Sequence, residues 1–243
     1  MKINWNLIRF LMITGLIIFL FSFSKQRNEE RKLTKIVIDF KNENALFISQ
    51  KSVNKLLIQN DDSVTNIGKE TLVLNRMEET LLKNPMIKNA EVFVTIDGSL
   101  GVKIEQRKPI ARVLGSPDYY IDEEGTKMPL STVYSARVPI ITGNLNNDYK
   151  GITKLLLKIN EDDFMKECVI GLQIQPDETI NLRIRKNDFK VLFGKPIAIE
   201  NKFQKFKAFY KLTKQEGLLS NYSLVNLEFN NQVVATKGKT NGE

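Results

Sequence analysis

The chain has 243 residues, of which 42% are hydrophobic and 26% are charged, with a net charge of +8, one cysteine and no histidine. This composition is typical of folded domains and excludes intrinsic disorder over most of the length. Without histidine the chain cannot build a Ser-His-Asp or Cys-His catalytic site or a histidine-containing zinc site, and Cys168 alone cannot form an intramolecular disulfide. Carboxylate, lysine and tyrosine chemistry remain open to an enzyme, so a non-enzymatic binding role gains weight. Our expectation is a protein that is not an enzyme and that uses no cofactor, metal or small-molecule substrate.

The positive charge does not indicate nucleic-acid binding. Basic and acidic residues alternate along the chain, and even the basic segment from Arg183 to Lys190 contains Asp188. No aromatic residues interleave with a basic groove, as they do in recognisable nucleic-acid modules. A solvated basic surface is the favoured interpretation, and no nucleic-acid partner is expected.

The amino terminus contains an apolar stretch, residues 3–23, that would span about 31 Å as a helix, which matches a hydrocarbon core of about 30 Å. Because Arg9 interrupts it, we predict a cytoplasmic tail at 1–9, a transmembrane helix at 10–24 and a polar linker at 25–32. Ser22 and Ser24 also resemble a signal-peptidase site, and basic residues flank both sides of the apolar run. Three interpretations remain open: an uncleaved anchor, a cleaved signal, and an anchor of reversed orientation. The first two interpretations place the part of the chain that follows the apolar stretch outside the cytoplasm.

The next segment reads as strand, helix, helix, strand, strand. The pattern predicts these elements, in chain order, at Leu33–Phe40, Ser49–Asn60, Asn75–Asn84, Ala90–Ile96 and Leu100–Glu105. Ser49 is the expected cap of the first helix, and Asp97-Gly98 is the expected hairpin turn between the last two strands. The predicted inward positions of the helices are Val53, Leu56 and Leu57, then Met77, Leu81 and Leu82.

This order, together with Asn84-Pro85-Met86-Ile87-Lys88-Asn89-Ala90-Glu91-Val92, resembles the POTRA domain, an exported protein-interaction module. The resemblance continues beyond it. Four further segments resemble motifs of the FtsQ/DivIB cell-division proteins in the same order: Gln106–Ala111, Tyr120–Gly125, Val138–Gly143 and Phe189–Gly194. The segment Tyr222–Ala235, YSLVNLEFNNQVVA, resembles that family's last strand.

The resemblance implies an α+β fold: one amino-terminal transmembrane helix, a POTRA domain of β-α-α-β-β order at 33–105, a mostly antiparallel β domain with one or more helices at 106–236, and a disordered tail at 237–243. It implies a non-enzymatic scaffold of the divisome, the septum-building assembly, with FtsB and FtsL as partners. It also implies a single-pass protein of the cell inner membrane, with a cytoplasmic amino terminus and most of the chain in the periplasm.

Two other classes remain as alternatives. One is a POTRA-containing outer-membrane assembly or secretion component, although residues 106–236 are too few for a large barrel of about ten-residue strands and loops. The other is a cleaved periplasmic enzyme that uses only carboxylates. The carboxylates at Asp122–Glu124 are, however, accounted for by a turn ending in Gly125, and no calcium-ligand series follows them.

The last strand is the predicted partner site, mainly because of the resemblance to the FtsQ/DivIB family. Its predicted contact residues are Val225, Leu227, Phe229, Asn231 and Val233. A carboxy-terminal strand at a sheet edge can accept an incoming strand by β-augmentation. The alternative is a paired internal strand. The helix at Glu200–Gln215 is expected to pack Phe203, Phe206 and Phe209/Tyr210 on a sheet and to solvate its lysines, Lys202 included, rather than to lie on a membrane.

Overall fold

The computed structural model describes residues 5–29, 35–41, 47–58, 71–95, 97–143, 145 and 149–238. The chain divides into two compact units after Gln106. The fold is α+β, as predicted, with an apolar amino-terminal helix, a first unit whose elements follow the predicted β-α-α-β-β order, and a larger, mostly antiparallel sheet unit with helices.

Helix α1, Trp5–Glu29, is longer at both ends than the predicted span 10–24. Its window Ile8–Lys25 is long and apolar enough to cross a membrane by length and composition. The helix continues into the predicted linker 25–32 because that part of the sequence, KQRNE, holds no glycine or proline, and polar side chains alone do not end a helix.

The rest of the first unit is a three-stranded sheet with two helices. Its elements are β1 Ile36–Phe40, α2 Gln50–Ile58, α3 Thr71–Leu82, β2 Ile87–Val94 and β3 Leu100–Gln106. The sheet order is β1-β3-β2, with β1 parallel and β2 antiparallel to β3. Ser49 caps α2 by accepting from the Ser52 N–H at 3.1 Å, as predicted. The hairpin at Asp97-Gly98 is also confirmed, with Gly98 at a φ of 83°.

Three details of this unit differ from the sequence prediction. Helix α3 begins at Thr71 instead of Asn75, because Glu78 does not close a capping box and accepts from the Val92 N–H at 2.7 Å instead. Strand β2 begins at Ile87, three residues early. The predicted inward residue Leu82 is 46% exposed, since it lies well to the side of the buried face that Met77 and Leu81 form one turn apart.

The boundary between the two units lies one residue later than predicted. Gln106, assigned to the β domain from the sequence, is the last residue of β3 and is buried. Its side-chain oxygen accepts from the N–H groups of Phe47 at 2.7 Å and Ile48 at 3.2 Å. These bonds satisfy two main-chain donors that precede α2, so Gln106 belongs to the first unit.

The second unit is built on a large twisted sheet. Its elements are β4 Pro109–Val113, β5 Tyr119–Asp122, β6 Lys127–Pro129, β7 Ile140–Gly143, α4 Lys150–Glu161, α5 Asp163–Cys168, β8 Val169–Ile174, β9 Ile180–Ile184, β10 Lys190–Gly194, α6 Ile199–Gln215, a 3₁₀ turn Leu219–Asn221, β11 Tyr222–Asn226 and β12 Val234–Lys237. Within the described residues, nine strands follow the order β12-β11-β10-β9-β8-β7-β4-β5-β6. The pairs β4·β7, β7·β8 and β10·β11 are parallel, and the others are antiparallel.

Helix α6 packs its aromatic side chains as predicted. Phe203 and Phe206 are buried, Phe209 and Tyr210 are half-buried against the same core, and Gly217 ends the helix at a φ of 70°. The prediction that its lysines are solvated is wrong for Lys202. Its ammonium is buried and donates to the carbonyl oxygens of Phe193 at 2.7 Å and Lys195 at 2.8 Å. Desolvation lowers the pKa of Lys202.

The entry into the second unit is fixed by an ion pair that sequence analysis missed. The Arg107 guanidinium donates to the buried Asp122 carboxylate at 2.7 Å and to Glu124 at 3.0 Å. Burial is the largest single influence and opposes the charge of Arg107, but the hydrogen bonds and charge interactions with Asp122 and Glu124 together outweigh it and raise the pKa of Arg107. The other Asp122 oxygen accepts from the N–H groups of Glu124 and Thr126, which confirms the predicted turn.

Replacing Arg107 with methionine is expected to lower the free energy of unfolding of the second unit by about 2 to 4 kcal/mol, because Asp122 is left charged and buried without its cation. Hydrogen exchange of the β4–β5 amides in the full chain measures this loss. Lys108→Met is the matched control, since it removes a neighbouring exposed charge and should change stability by less than about 0.5 kcal/mol. Similar effects of the two substitutions would contradict a structural role for the pair.

Candidate functional site

The two ends of the nine-stranded sheet differ in how their open edges are protected. β6 is three residues long and contains Lys127 and Pro129, a charge and a residue without an N–H, both of which block pairing with a further strand. β12 has four residues and no proline, and only its last residue is charged. The β12 edge is therefore the end of this sheet that an incoming strand can extend.

The free main-chain groups of β12 can be assigned from its pairing with β11. The Gly238 N–H donates to the Asn221 carbonyl at 2.8 Å, and the Thr236 carbonyl accepts from the Ser223 hydroxyl at 3.3 Å, so residues 236 and 238 face β11. Because alternate residues of an antiparallel strand point in opposite directions, the N–H and C=O groups of Ala235 and Lys237 face away from β11. In the described part of the chain no strand pairs with this side.

Apolar side chains flank the open edge on both faces of the sheet. Val233 and Ala235 are half-buried and pack against the core with Tyr222 and Phe209. Val234, on the opposite face, is 39% exposed. An incoming strand would thus gain main-chain hydrogen bonds from Ala235 and Lys237 and apolar contacts on both of its faces.

The five predicted contact residues are divided between the core and the surface. Val225 and Leu227 are both 0% exposed, so their side chains face the core and no partner reaches them. Phe229 and Asn231 are exposed, with Phe229 at 48%, and Val233 is half-buried beside β12. The last three lie in what we call the β11–β12 connection, residues 227–233.

The segment Tyr222–Ala235, predicted as the last strand, contains β11 and the start of β12, and for β11 the alternative of a paired internal strand is the one that the structure has. β11 is internal, between β10 and β12, and the chain reverses in the connection before returning as β12. The sequence signal for this reversal is Asn230-Asn231, which interrupts the alternation of Val225, Leu227 and Phe229. Sequence analysis missed Thr236 and Lys237, and it placed Lys237 in a disordered tail. Residues 239–243 of that tail lie outside the described residues.

Other ionisable groups in the described residues have structural roles. Hydrogen bonds from Thr95 and Ser99 lower the pKa of Asp97 to about 2, which is expected of a carboxylate that closes a hairpin turn. Burial and a hydrogen bond with Tyr149 raise the pKa of Tyr119 to about 12. Among the residues that the structure describes, no group of three or more Asp, Glu or Cys side chains is placed to hold a metal ion.

Cys168 is half-buried at the end of α5. It is the last residue of α5, directly before β8, and its side chain packs against the core of the second unit. Burial raises the pKa of this thiol, which disfavours the reactive thiolate. The side chain therefore has the properties of a structural cysteine.

Comparison with known proteins agrees with the two units of the fold. A family model described as POTRA-like domain matches residues 32–105, and a family model described as FtsQ/DivIB, C-terminal related, matches residues 108–236. A search of curated proteins found no match. The second family model alone covers more than half of the chain and contains the nine-stranded sheet except Lys237, the last residue of β12. The chain therefore belongs to the FtsQ/DivIB family of cell-division scaffold proteins.

Proposed function

We propose that this protein is a non-enzymatic divisome scaffold that is anchored in the cell inner membrane by α1. Residues 1–9 lie in the cytoplasm, and the three-stranded sheet of the first unit with its two helices and the whole second unit lie in the periplasm. Family membership and the apolar window Ile8–Lys25 support this arrangement. The family match also favours it over a POTRA-containing outer-membrane assembly or secretion component.

The scaffold acts by binding other membrane division proteins, FtsB and FtsL, through the second unit. The observation that carries this proposal is the unprotected β12 edge, with the main-chain groups of Ala235 and Lys237 directed away from β11. A strand of the partner, FtsB in the first instance, pairs with β12 and extends the sheet. Main-chain hydrogen bonds supply affinity, and the side chains beside Val234 and Ala235 supply specificity.

Phe229 adds an aromatic contact next to this edge. Phe229→Ala is expected to weaken capture of the exported segment of FtsB by about 1 to 2 kcal/mol, because the substitution removes an exposed aromatic anchor without changing the main chain. Capture by the full chain in detergent is measured with immobilised FtsB segment. The melting temperature should change little, since the side chain is 48% exposed.

The control is Leu227→Ala, two residues earlier. Its side chain is fully buried, so we expect a loss of stability of about 2 to 5 kcal/mol. Unchanged capture by Phe229→Ala would exclude Phe229 from the interface. Failure of the unsubstituted chain to capture FtsB would reject the assignment of FtsB as the partner of β12.

A further inference from the structure

Lys205 of α6 reaches the β11–β12 connection with its ammonium group. Its Nζ lies 3.2 Å from the Leu227 carbonyl oxygen and 3.4 Å from that of Asn230, and it also donates to the Phe229 carbonyl. A lysine ammonium has three donors. Three contacts of Lys205 thus go to main-chain acceptors of one short segment.

These acceptors lie where the connection leaves the sheet. Leu227, the first residue of the connection, is still hydrogen-bonded to β10, since its N–H donates to the Leu192 carbonyl at 2.9 Å. Beyond it the side chains of residues 228–232 are exposed, so packing against the core does not define their conformation. Lys205 supplies one cation to three carbonyl groups of this segment, and hydrogen bonds from a charged donor are stronger than those from a neutral one.

The helix that carries Lys205 is itself firmly held. Phe203 and Phe206 on either side of it are buried in the core. Lys202, three residues earlier, makes the same kind of contact with the carbonyls of Phe193 and Lys195 at the end of β10. Lys202 and Lys205 of α6 therefore contact two chain segments, one at the end of β10 and one after β11, and these two strands are parallel neighbours in the sheet.

We propose that Lys205 is a positioning residue for partner binding. By holding the connection in one conformation, it sets the place from which the chain returns as β12 and keeps the open edge ready for an incoming strand. This inference rests on the proposed function of the β12 edge. A preformed edge binds more tightly because less conformational entropy is lost on docking.

The test uses the full chain in detergent with two substitutions at this position. Lys205→Met keeps the length of the side chain and removes its donors, whereas Lys205→Arg keeps a donating cation. Lys211→Met, on an exposed position of the same helix, is the matched control. Two measurements are made: hydrogen exchange of the β12 amides, and capture of the exported segment of FtsB.

For Lys205→Met we expect the β12 amides to exchange about tenfold faster and capture to weaken by about tenfold, with β9 exchange unchanged. Lys205→Arg should recover most of both losses, and Lys211→Met should behave as the unsubstituted chain. Unchanged β12 exchange in Lys205→Met would overturn the proposal. Equal acceleration in β9 would also overturn it, by making Lys205 a residue of global stability.

The two proposals fail in different ways. If the unsubstituted chain captures no FtsB segment, the assigned function of the edge fails, but β12 exchange still decides whether Lys205 orders it. If capture by the unsubstituted chain succeeds and Lys205→Met captures equally well, only the role of Lys205 is rejected.

Discussion

Replacing Ala235 with proline is expected to reduce capture of the exported FtsB segment at least about tenfold while the sheet stays folded. The Ala235 N–H faces the open side of β12, so proline removes no hydrogen bond to β11. Proline is tolerated at such outward positions of edge strands. It does remove one donor to the partner strand, and its ring occupies the space that the partner's main chain needs.

Thr236→Pro is the matched control for this experiment. Residue 236 faces β11, so the same substitution one position later removes a hydrogen bond within the sheet. It should therefore accelerate hydrogen exchange in β11 and β12, whereas Ala235→Pro should not. Undiminished capture by folded Ala235→Pro would show that the partner does not pair with β12.

Gly143→Ala is expected to destabilise the second unit by about 3 kcal/mol or more, which is at the upper end of single-substitution effects. A Cβ at this position would lie 2.0 Å from the Ile174 carbonyl oxygen, and the φ of Gly143 is +102°. Gly143 and Ile174 are paired in the parallel β7·β8 ladder, so relief of the clash would separate two central strands. Hydrogen exchange of the β7 and β8 amides measures the loss.

Gly217→Ala separates the two causes of this effect. Gly217 also has a positive φ, +70°, but nothing lies within 4 Å of the position of an added Cβ. Its substitution should cost only about 1 kcal/mol, the price of the left-handed conformation. Equal losses at Gly143 and Gly217 would show that backbone conformation alone, and not the close approach of β8, requires glycine at 143.

The sequence by itself determined those elements that depend on a pattern of neighbouring residues. The apolar run at 3–23 predicts α1, Asp97-Gly98 predicts a hairpin, and Asp122–Gly125 predicts the turn that the structure places between β5 and β6. The aromatic spacing at Phe203 and Phe206 predicts the buried face of α6. These features depend on side-chain periodicity and on main-chain conformation within a few residues, which a single sequence contains.

Which strand lies at the edge was decided only by the tertiary structure. The alternation of Val225, Leu227 and Phe229 predicts a strand, but it does not show whether that strand has a neighbour on one side or on both. Its two neighbours, β10 and β12, are separate segments of the chain, and their pairing with β11 is decided by the tertiary structure. The lysines of α6 show the same limit. Lys202 and Lys205 have the sequence context of solvated residues, and only the carbonyl groups that β10 and the connection place beside them make them structural. Likewise, Arg107 and Asp122 meet because β4 and β5 pair, so their charge interaction depends on a register that no local pattern encodes.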